Sequence, residues 1–115
     1  MTILVIDDDS VIATLVRMIL TREGYDVAVA DDGEAGLQAV AAAPPQLILV
    51  DSTMPGLSGA DVVAKLKGDE ATAAIPIVMM SADWTAADGT GADASLRKPF
   101  DPPDLLDVVR RLLPS

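Results

Sequence analysis

Cysteine and histidine are both missing from the 115-residue chain. Without cysteine there is no disulfide framework and no thiolate metal site, and the composition fits a reducing compartment. Without histidine the chain lacks the commonest general base and the commonest ligand of transition metals. A bound metal ion would therefore sit among oxygen ligands, which favours Mg²⁺ or Ca²⁺ over Zn²⁺.

Aromatic and basic residues are scarce. Tyr25, Trp84 and Phe100 are the only aromatic residues, so the core must be aliphatic, and half of all residues are hydrophobic. There are 8 Lys and Arg residues against 18 Asp and Glu residues, which gives a formal net charge of −10. Because such a surface repels nucleic acid and anionic membranes, we expect a protein partner and no binding of nucleic acid or membrane by this domain.

The chain also lacks a long apolar run and a recognisable leader. No apolar run reaches the roughly 20 residues that a membrane-spanning helix needs. The N-terminal residues MTILVIDDD have neither the basic start nor the small-residue cleavage site of a signal peptide. We therefore expect a cytoplasmic protein with a single domain over residues 1–115, in which Pro114 and Ser115 are either a natural end or the start of a linker.

Apolar patterns typical of strands alternate with patterns typical of helices. Short runs rich in β-branched residues predict strands at residues 2–6, 25–30, 46–50, 75–80 and 94–97. Apolar residues spaced three or four apart predict helices at residues 11–23, 33–43, 59–67 and from 102 onward. This alternation predicts an α/β fold in which helices cover both faces of a parallel sheet.

Capping residues and apolar faces refine the predicted helices. Ser10, Ser58 and Asp101 stand where N-caps are expected, and Gly24 ends the first helix. The segment DWTAADGT, residues 83–90, has little apolar periodicity and room for at most about two helical turns. A fourth helix there is expected to be short, distorted or absent. The residues of the first helix expected to face the core are Val11, Ile12, Leu15, Val16, Met18 and Ile19.

Polar side chains follow the predicted strands at the edge where each strand ends. Ligands of open parallel sheets bind at this edge. Carboxylates suit Mg²⁺, a carboxylate can attack phosphorus to give an aspartyl phosphate, and an ammonium and a hydroxyl can bind the phosphoryl oxygens. Together these side chains indicate a site for Mg²⁺-dependent phosphoryl transfer. They are Asp7, Asp8 and Asp9 after the first strand, Asp51 after the third, Ser81 after the fourth and Lys98 after the fifth.

Each of these residues also has a purely structural interpretation. Asp9 is best interpreted as a helix cap, and Asp51 can be an ion-pair partner of Lys98 and no more. Gly56 and Gly59 are first of all turn residues. The hypothesis of a site therefore depends on a fold that brings distant segments together.

Five segments resemble, in order, the receiver domain of bacterial two-component response regulators. They are ILVIDDDS, ADDGEAGLQAV, LILVDSTMPGLSG, IPIVMMSA and GADASLRKPF. The resemblance covers nearly the whole chain and implies a flavodoxin-like, doubly wound sheet of five parallel strands in the order 2-1-3-4-5. It also implies phosphorylation by a histidine kinase or a histidine phosphotransfer protein.

The resemblance implies a complete phosphorylation site. Asp51 is implied as the phosphoacceptor, Ser81 as the switch hydroxyl and Lys98 as the phosphate contact. Pro99 is implied to follow a cis peptide bond, which proline tolerates. The implied Mg²⁺ ligands are the carboxylates of Asp7, Asp8 and Asp51 and the backbone carbonyl of Thr53.

Two features depart from the family. Ser95 stands where the family usually has an aromatic residue, so a ring movement after phosphorylation cannot occur in that form. The short segment 83–90 alters the face built from the fourth helix, the fifth strand and the last helix. Trp84 in this segment could replace the missing ring, although packing against the core is the simpler interpretation. Thr53 and Asp83 occupy positions that tune the lifetime of the acyl phosphate in the family.

The main hypothesis is a phosphoacceptor signalling module that acts through protein contacts and has no separate enzymatic substrate. The downstream protein is unknown. The alternative is a receiver-like binding module that works without phosphorylation, which the change at Ser95 keeps open. A Mg²⁺-dependent phosphohydrolase is disfavoured, because Thr53 occupies the place of the second acid that such enzymes need.

Overall fold

Five parallel strands form the centre of the molecule. They are β1 (Thr2–Ile6), β2 (Asp26–Ala30), β3 (Leu47–Asp51), β4 (Ile77–Ser81) and β5 (Ala94–Arg97), and they lie in the order β2-β1-β3-β4-β5. The computed structural model describes residues 2–82 and 91–113, so the predictions made for residues 83–90 fall outside the described residues. The predicted α/β fold and the implied strand order are confirmed.

Four helices of the described residues cover the sheet. They are α1 (Ser10–Arg22), α2 (Gly33–Ala42), α3 (Gly59–Lys67) and α4 (Pro102–Leu112). Helices α1 and α4 pack on one face of the sheet, and α2 and α3 pack on the other. Because successive side chains of a strand point to opposite faces, Ile3 and Val5 join the first core while Leu4 and Ile6 join the second.

The middle strands carry the aliphatic core that the scarcity of aromatic residues predicts. Every residue of β3 and of β4 is buried. The edge strand β2 is different, since Ala30 is its only buried residue. Because β3 and β4 are packed along their whole length, the residues at their ends are firmly held.

The two central strands run slightly further than predicted. Strand β3 ends at Asp51 and β4 ends at Ser81, each one residue later than the apolar runs indicate. Parallel pairing continues to these ends, with Asp51 opposite Met80 and Ser81 opposite Arg97. Asp51 and Ser81 are thus the last paired residues of buried strands, which fixes their backbones.

Helix α1 differs from its prediction on its apolar face. Of the two residues proposed as its cap, Asp9 and not Ser10 is the N-cap, because the Asp9 carboxylate accepts the first free N–H groups of the helix. Gly24, with φ of 93°, follows the last turn as predicted. The residues buried on α1 are Ala13, Val16 and Leu20, whereas Val11, Leu15 and Met18 are 73%, 42% and 58% exposed.

The expectation that Val11, Leu15 and Met18 face the core is therefore wrong. The apolar residues of α1 continue past its buried face onto the solvent side, so their spacing does not show where the contact with the sheet stops. The contact also uses the small side chain of Ala13, which an apolar pattern of large residues leaves out. None of the described helices is long and apolar enough to cross a membrane.

Candidate functional site

The ends of the strands bring the predicted site residues to one edge of the sheet. Asp7 directly follows β1, and its N–H donates to the carbonyl of Ala30 at 3.1 Å. Asp51 ends β3 and Ser81 ends β4, and both are buried. The N–H of Lys98 donates to the carbonyl of Ser81 at 2.8 Å, which fixes the backbone of Lys98 one residue past β5.

The ammonium of Lys98 bridges two carboxylates. Nζ donates to Oδ2 of Asp7 at 3.0 Å and to Oδ1 of Asp51 at 3.1 Å. To do so, the side chain extends from the edge strand β5 past β4 to the ends of β1 and β3. The side chains are 16% exposed for Lys98, 0% for Asp7 and 10% for Asp51. The peptide bond between Lys98 and Pro99 is cis, as the resemblance implies.

Burial and charge set the protonation of this ion pair. Burial raises the pKa of Asp51 above its ordinary value; the Asp7 charge adds to the rise, and Lys98 and the Thr53 amide offset only part of it. Burial acts to lower the pKa of Lys98, but the hydrogen bonds and charges of Asp7 and Asp51 outweigh burial and raise that pKa. Lys98 is therefore held as a cation between two carboxyl groups.

Three carboxylates at this edge are close enough to share a cation. Asp7, Asp8 and Asp51 each offer an oxygen, and these oxygens lie within 4.8 Å of one another. Asp7 and Asp51 are buried and Asp8 is exposed. Mg²⁺ prefers a few hard oxygen ligands and keeps several of its waters. A cluster of carboxylates with one exposed side fits that preference.

Asp9 belongs to helix α1 and not to the carboxylate cluster. Its Oδ1 accepts the N–H of Val11 at 2.9 Å and that of Ile12 at 3.4 Å, which confirms its interpretation as a cap. The N–H of Asp9 donates to Oδ1 of Asp7 at 2.9 Å. Since Oδ2 of Asp7 accepts from Lys98, both oxygens of Asp7 are hydrogen-bonded.

The loop that follows Asp51 is fixed where it enters α3. Gly56 has φ of 76°, as its turn prediction requires. Ser58 caps α3 reciprocally: its hydroxyl accepts from the N–H of Asp61 at 3.1 Å, and its own N–H donates to Oδ2 of Asp61 at 3.0 Å. Thr53 is exposed. The role of its backbone carbonyl as a metal ligand stays a prediction.

Gly59 has a role that sequence reasoning missed. Its interpretation as a turn residue is wrong, because it is the first residue of α3 and is not one of the described glycines with positive φ. A Cβ at Gly59 would overlap the carbonyl oxygen of Asp51 and stand 2.8 Å from Cα of Ser52. The one available signal was a glycine directly after a helix cap, where the backbone would accept any residue and alanine is favoured.

Ser95, at the position where the family usually has an aromatic residue, lies half-buried on β5. Together with Pro99, Asp104 and Val108 it lines a surface groove between β5 and α4. The suggestion that Trp84 replaces the missing ring, and the tuning role of Asp83, fall outside the described residues.

Comparisons with known proteins find a matching family and similar proteins. The family model of the response regulator receiver domain matches residues 3–110. The DNA-binding response regulator MtrA of Mycobacterium tuberculosis is 40% identical over 116 residues, covering 96% of this chain and 50% of MtrA. The DNA-binding dual master transcriptional regulator RpaA of Synechocystis is 41% identical over 116 residues, covering 96% of this chain and 48% of RpaA. The chain thus spans about half the length of these relatives.

Solved structures with the same fold include two close in length to this chain. The chemotaxis protein CheY4 of Vibrio cholerae has a TM-score of 0.91 and 29% identity, with 97% of this chain and 98% of CheY4 covered. The response regulator TrrA of Thermotoga maritima, solved in complex with Mg²⁺ and BeF, has a TM-score of 0.90 and 30% identity, with 97% of this chain and 98% of TrrA covered.

Proposed function

Because the chain belongs to the response regulator receiver family, we propose that Asp51 accepts a phosphoryl group from a phosphohistidine of a histidine kinase or histidine phosphotransfer protein. The observation that carries this assignment is the ammonium of Lys98, held 3.0 Å from Asp7 and 3.1 Å from Asp51 in a buried setting. A fixed cation beside a carboxylate at a strand end is suited to a group that will carry more negative charge.

Asp51 is a better nucleophile than its neighbour Asp7. Lys98 donates to both carboxylates, but Asp7 already uses one oxygen for Lys98 and the other for the N–H of Asp9. The side chain of Asp7 is also fully buried, whereas that of Asp51 is 10% exposed. An incoming phosphoryl group can therefore reach Asp51 more readily, and we propose that the transfer is to Asp51.

In the proposed step a carboxylate oxygen of Asp51 forms a bond to phosphorus as the bond between phosphorus and the histidine nitrogen breaks. The electron pair of the broken bond stays on the imidazole. Lys98 neutralises charge on the phosphoryl oxygens, and the Ser81 hydroxyl donates to another of them. Asp7, Asp8, Asp51 and the carbonyl of Thr53 are the proposed holders of Mg²⁺, which when bound neutralises further phosphoryl charge.

The proposed output is a change of protein contacts. Phosphorylation adds a charge of about −1.5 to −2 and new acceptor oxygens beside Lys98 and Ser81, which is enough to bias a local two-state rearrangement. Ser95 provides no ring to follow that rearrangement, so the response would pass through backbone and hydroxyl contacts instead.

Location and partners follow from the same proposal. Residues 1–115 would act as one receiver domain in the cytoplasm, which the lack of cysteine fits. The domain would have no separate enzymatic substrate and, at a net charge of −10, would not itself bind nucleic acid. Its downstream protein is unknown.

The test is an intact-mass measurement after incubation with Mg²⁺ and acetyl phosphate. We expect the wild-type chain to gain one phosphoryl group only when Mg²⁺ is present, and Asp51→Asn to gain none. Asp107→Asn, which changes an exposed carboxylate on α4, is the matched control and should behave as wild type. No gain in the wild type from either acetyl phosphate or a phosphorylated histidine kinase would overturn the proposal and favour a binding module that works without phosphorylation.

A further inference from the structure

The N-terminus of α3 touches the backbone of Asp51 with no side chain between them. A Cβ at Gly59 would overlap the carbonyl oxygen of Asp51, and it would stand 2.8 Å from both Cα of Ser52 and Sδ of Met79, where ordinary contacts begin at 3.4 Å. The N–H of Gly59 also donates to the carbonyl of Ser52 at 3.1 Å. The first residue of α3 is therefore in direct contact with the strand end that carries the proposed phosphoacceptor.

Both sides of this contact are held in place. On the strand side, the N–H of Ser52 donates to the carbonyl of Met80 at 2.8 Å, and the β4 strand behind it is completely buried. On the helix side, the Ser58–Asp61 capping box fixes the first turn, while the buried side chains of α3 anchor it in the core. Neither the strand end nor the helix can move away without breaking hydrogen bonds or opening a cavity.

We propose that Gly59 is a positioning residue, which sets the position of the Asp51 carboxylate relative to Lys98 and Asp7. The inference rests on the proposed phosphorylation of Asp51. Phosphoryl transfer depends mainly on positioning and on neutralisation of charge. Because α3 begins in direct contact with the Asp51 carbonyl, it holds the Asp51 carboxylate within reach of the Lys98 ammonium.

Alanine is the sharpest probe of this role. The backbone of Gly59 has no positive φ, so alanine fits its conformation and is a better helix former than glycine. The substitution therefore adds one methyl group at the contact and leaves the local backbone preference helical. Because the group it meets is a backbone carbonyl, the added methyl cannot be accommodated by rotating a side chain.

Gly36→Ala is the matched control. A Cβ at Gly36, on helix α2, would overlap Cδ1 of Ile6 and stand 2.8 Å from its Cγ1. This clash is as close as the one at Gly59, but it meets only side-chain atoms of Ile6. Gly36→Ala therefore carries a comparable steric perturbation that meets a side chain of β1 and not the backbone of Asp51.

The experiment compares the three proteins under conditions in which urea titration shows each to be folded. The rate constant for Mg²⁺-dependent phosphorylation by acetyl phosphate is measured by intact mass over time. Since a misplacement of about 1 Å lowers rates by roughly 100-fold, we expect Gly59→Ala to be slower by about that factor. Gly36→Ala should stay close to the wild-type rate, because its added methyl group does not meet the backbone of Asp51.

Amide spectra add a readout that a loss of stability alone would not move. In ¹H–¹⁵N correlation spectra we expect Gly59→Ala to shift the signals of Asp51, Ser52 and Lys98. Gly36→Ala should shift the signals around α2 and Ile6 instead. Equal rates for the two folded variants, or unshifted Asp51 and Lys98 signals in Gly59→Ala, would overturn the inference.

A second pair of variants decides the matter if Gly59→Ala does not fold. Ser58→Ala loosens the start of α3, while Asp32→Ala removes the corresponding cap of α2, whose carboxylate accepts from the N–H of Ala35 at 2.7 Å. Asp32 is exposed and Ser58 is half-buried, and neither substitution adds an atom that the surroundings must accommodate. We expect phosphorylation to slow several-fold more in Ser58→Ala than in Asp32→Ala, and equal rates would overturn the inference. A wild type that is not phosphorylated at all would instead count against the proposed function.

Discussion

At the scale of single residues, Lys98 determines most of the geometry of the site. Its ammonium is the one group that contacts both Asp7 and Asp51, at 3.0 and 3.1 Å, among the hydrogen bonds of the described residues. Burial alone would lower the pKa of Lys98, yet the two carboxylates raise it. The residue is thus held charged in a place where a phosphoryl group would need that charge.

Replacing Lys98 with methionine removes the charge while keeping most of the side-chain length. We expect the rate constant for phosphorylation of Asp51 by acetyl phosphate to fall by roughly 100-fold, because a preorganised charge in a buried site is lost. Lys67→Met is the matched control. Lys67 also forms a partly buried ion pair, with Asp93 at 2.8 Å, but this pair lies at the amino-terminal ends of β4 and β5, away from the site. Similar rates for the two variants would contradict the role of Lys98.

Asp93 supplies a prediction about pH and stability. Burial acts to raise its pKa, but the hydrogen bonds from Lys67 and from the N–H of Ile77 outweigh burial and hold the pKa below its ordinary value. A carboxyl whose pKa is lower in the folded state adds stability above the unfolded-state pKa. That stability is lost as the pH falls through the folded-state pKa.

We therefore expect the difference in unfolding free energy between the wild type and Asp93→Asn to be largest near neutral pH. It should shrink once the pH falls below the ordinary value of 3.8. Urea titrations at a series of pH values measure this difference. Glu23→Gln, which breaks the exposed Glu23–Arg110 pair, should show little difference at any pH. A wild-type advantage over Asp93→Asn that does not change with pH would contradict the assignment.

At the scale of elements, helix α1 shows the limit of pattern reasoning. Its apolar spacing correctly predicts a helix with Val16 in the core. The same spacing also predicts that Met18 lies in the core, but in the structure Met18 is 58% exposed. Periodicity shows that one side of a helix is apolar. It does not show how far the neighbouring strands extend beneath that side.

The corrected face of α1 can be tested by stability. We expect Val16→Ala to lower the free energy of unfolding by about 2 kcal/mol, because Val16 is fully buried and its truncation leaves a cavity. Met18→Ala should change it by less than about 0.5 kcal/mol, since its side chain is largely in solvent. Urea unfolding measures both variants, and an equal loss in the two would contradict the observed orientation of the helix.

Some strand ends and helix caps are predictable from the sequence, and others depend on contacts with distant residues. The Ser58 cap and the end of α1 at Gly24 follow from local chemistry, so they are predictable. The extension of β3 to Asp51 depends on pairing with β4, which a pattern of apolar residues in β3 alone does not contain. The contact between Gly59 and Asp51 depends on how closely α3 approaches β3, and it was not predictable for the same reason.

At the scale of the whole molecule, the alternation of strands and helices was enough to predict the layers of the fold. The strand order came from the resemblance, because alternation alone is compatible with several orders of a parallel sheet. That order brings the ends of β1 and β3 side by side and leaves Lys98 directly after the edge strand β5. The candidate site thus combines residues whose types were readable from the sequence with distances that only the fold supplies.

The central claim is that Asp51 is the phosphorylated residue, and the most direct test is to locate the phosphoryl group. The chain is phosphorylated with acetyl phosphate and Mg²⁺, treated with borohydride, which reduces an aspartyl phosphate to homoserine, and mapped by peptide mass spectrometry. We expect homoserine at position 51 and at no other aspartate. Homoserine at Asp7 or Asp8, with Asp51 unmodified, would contradict the claim.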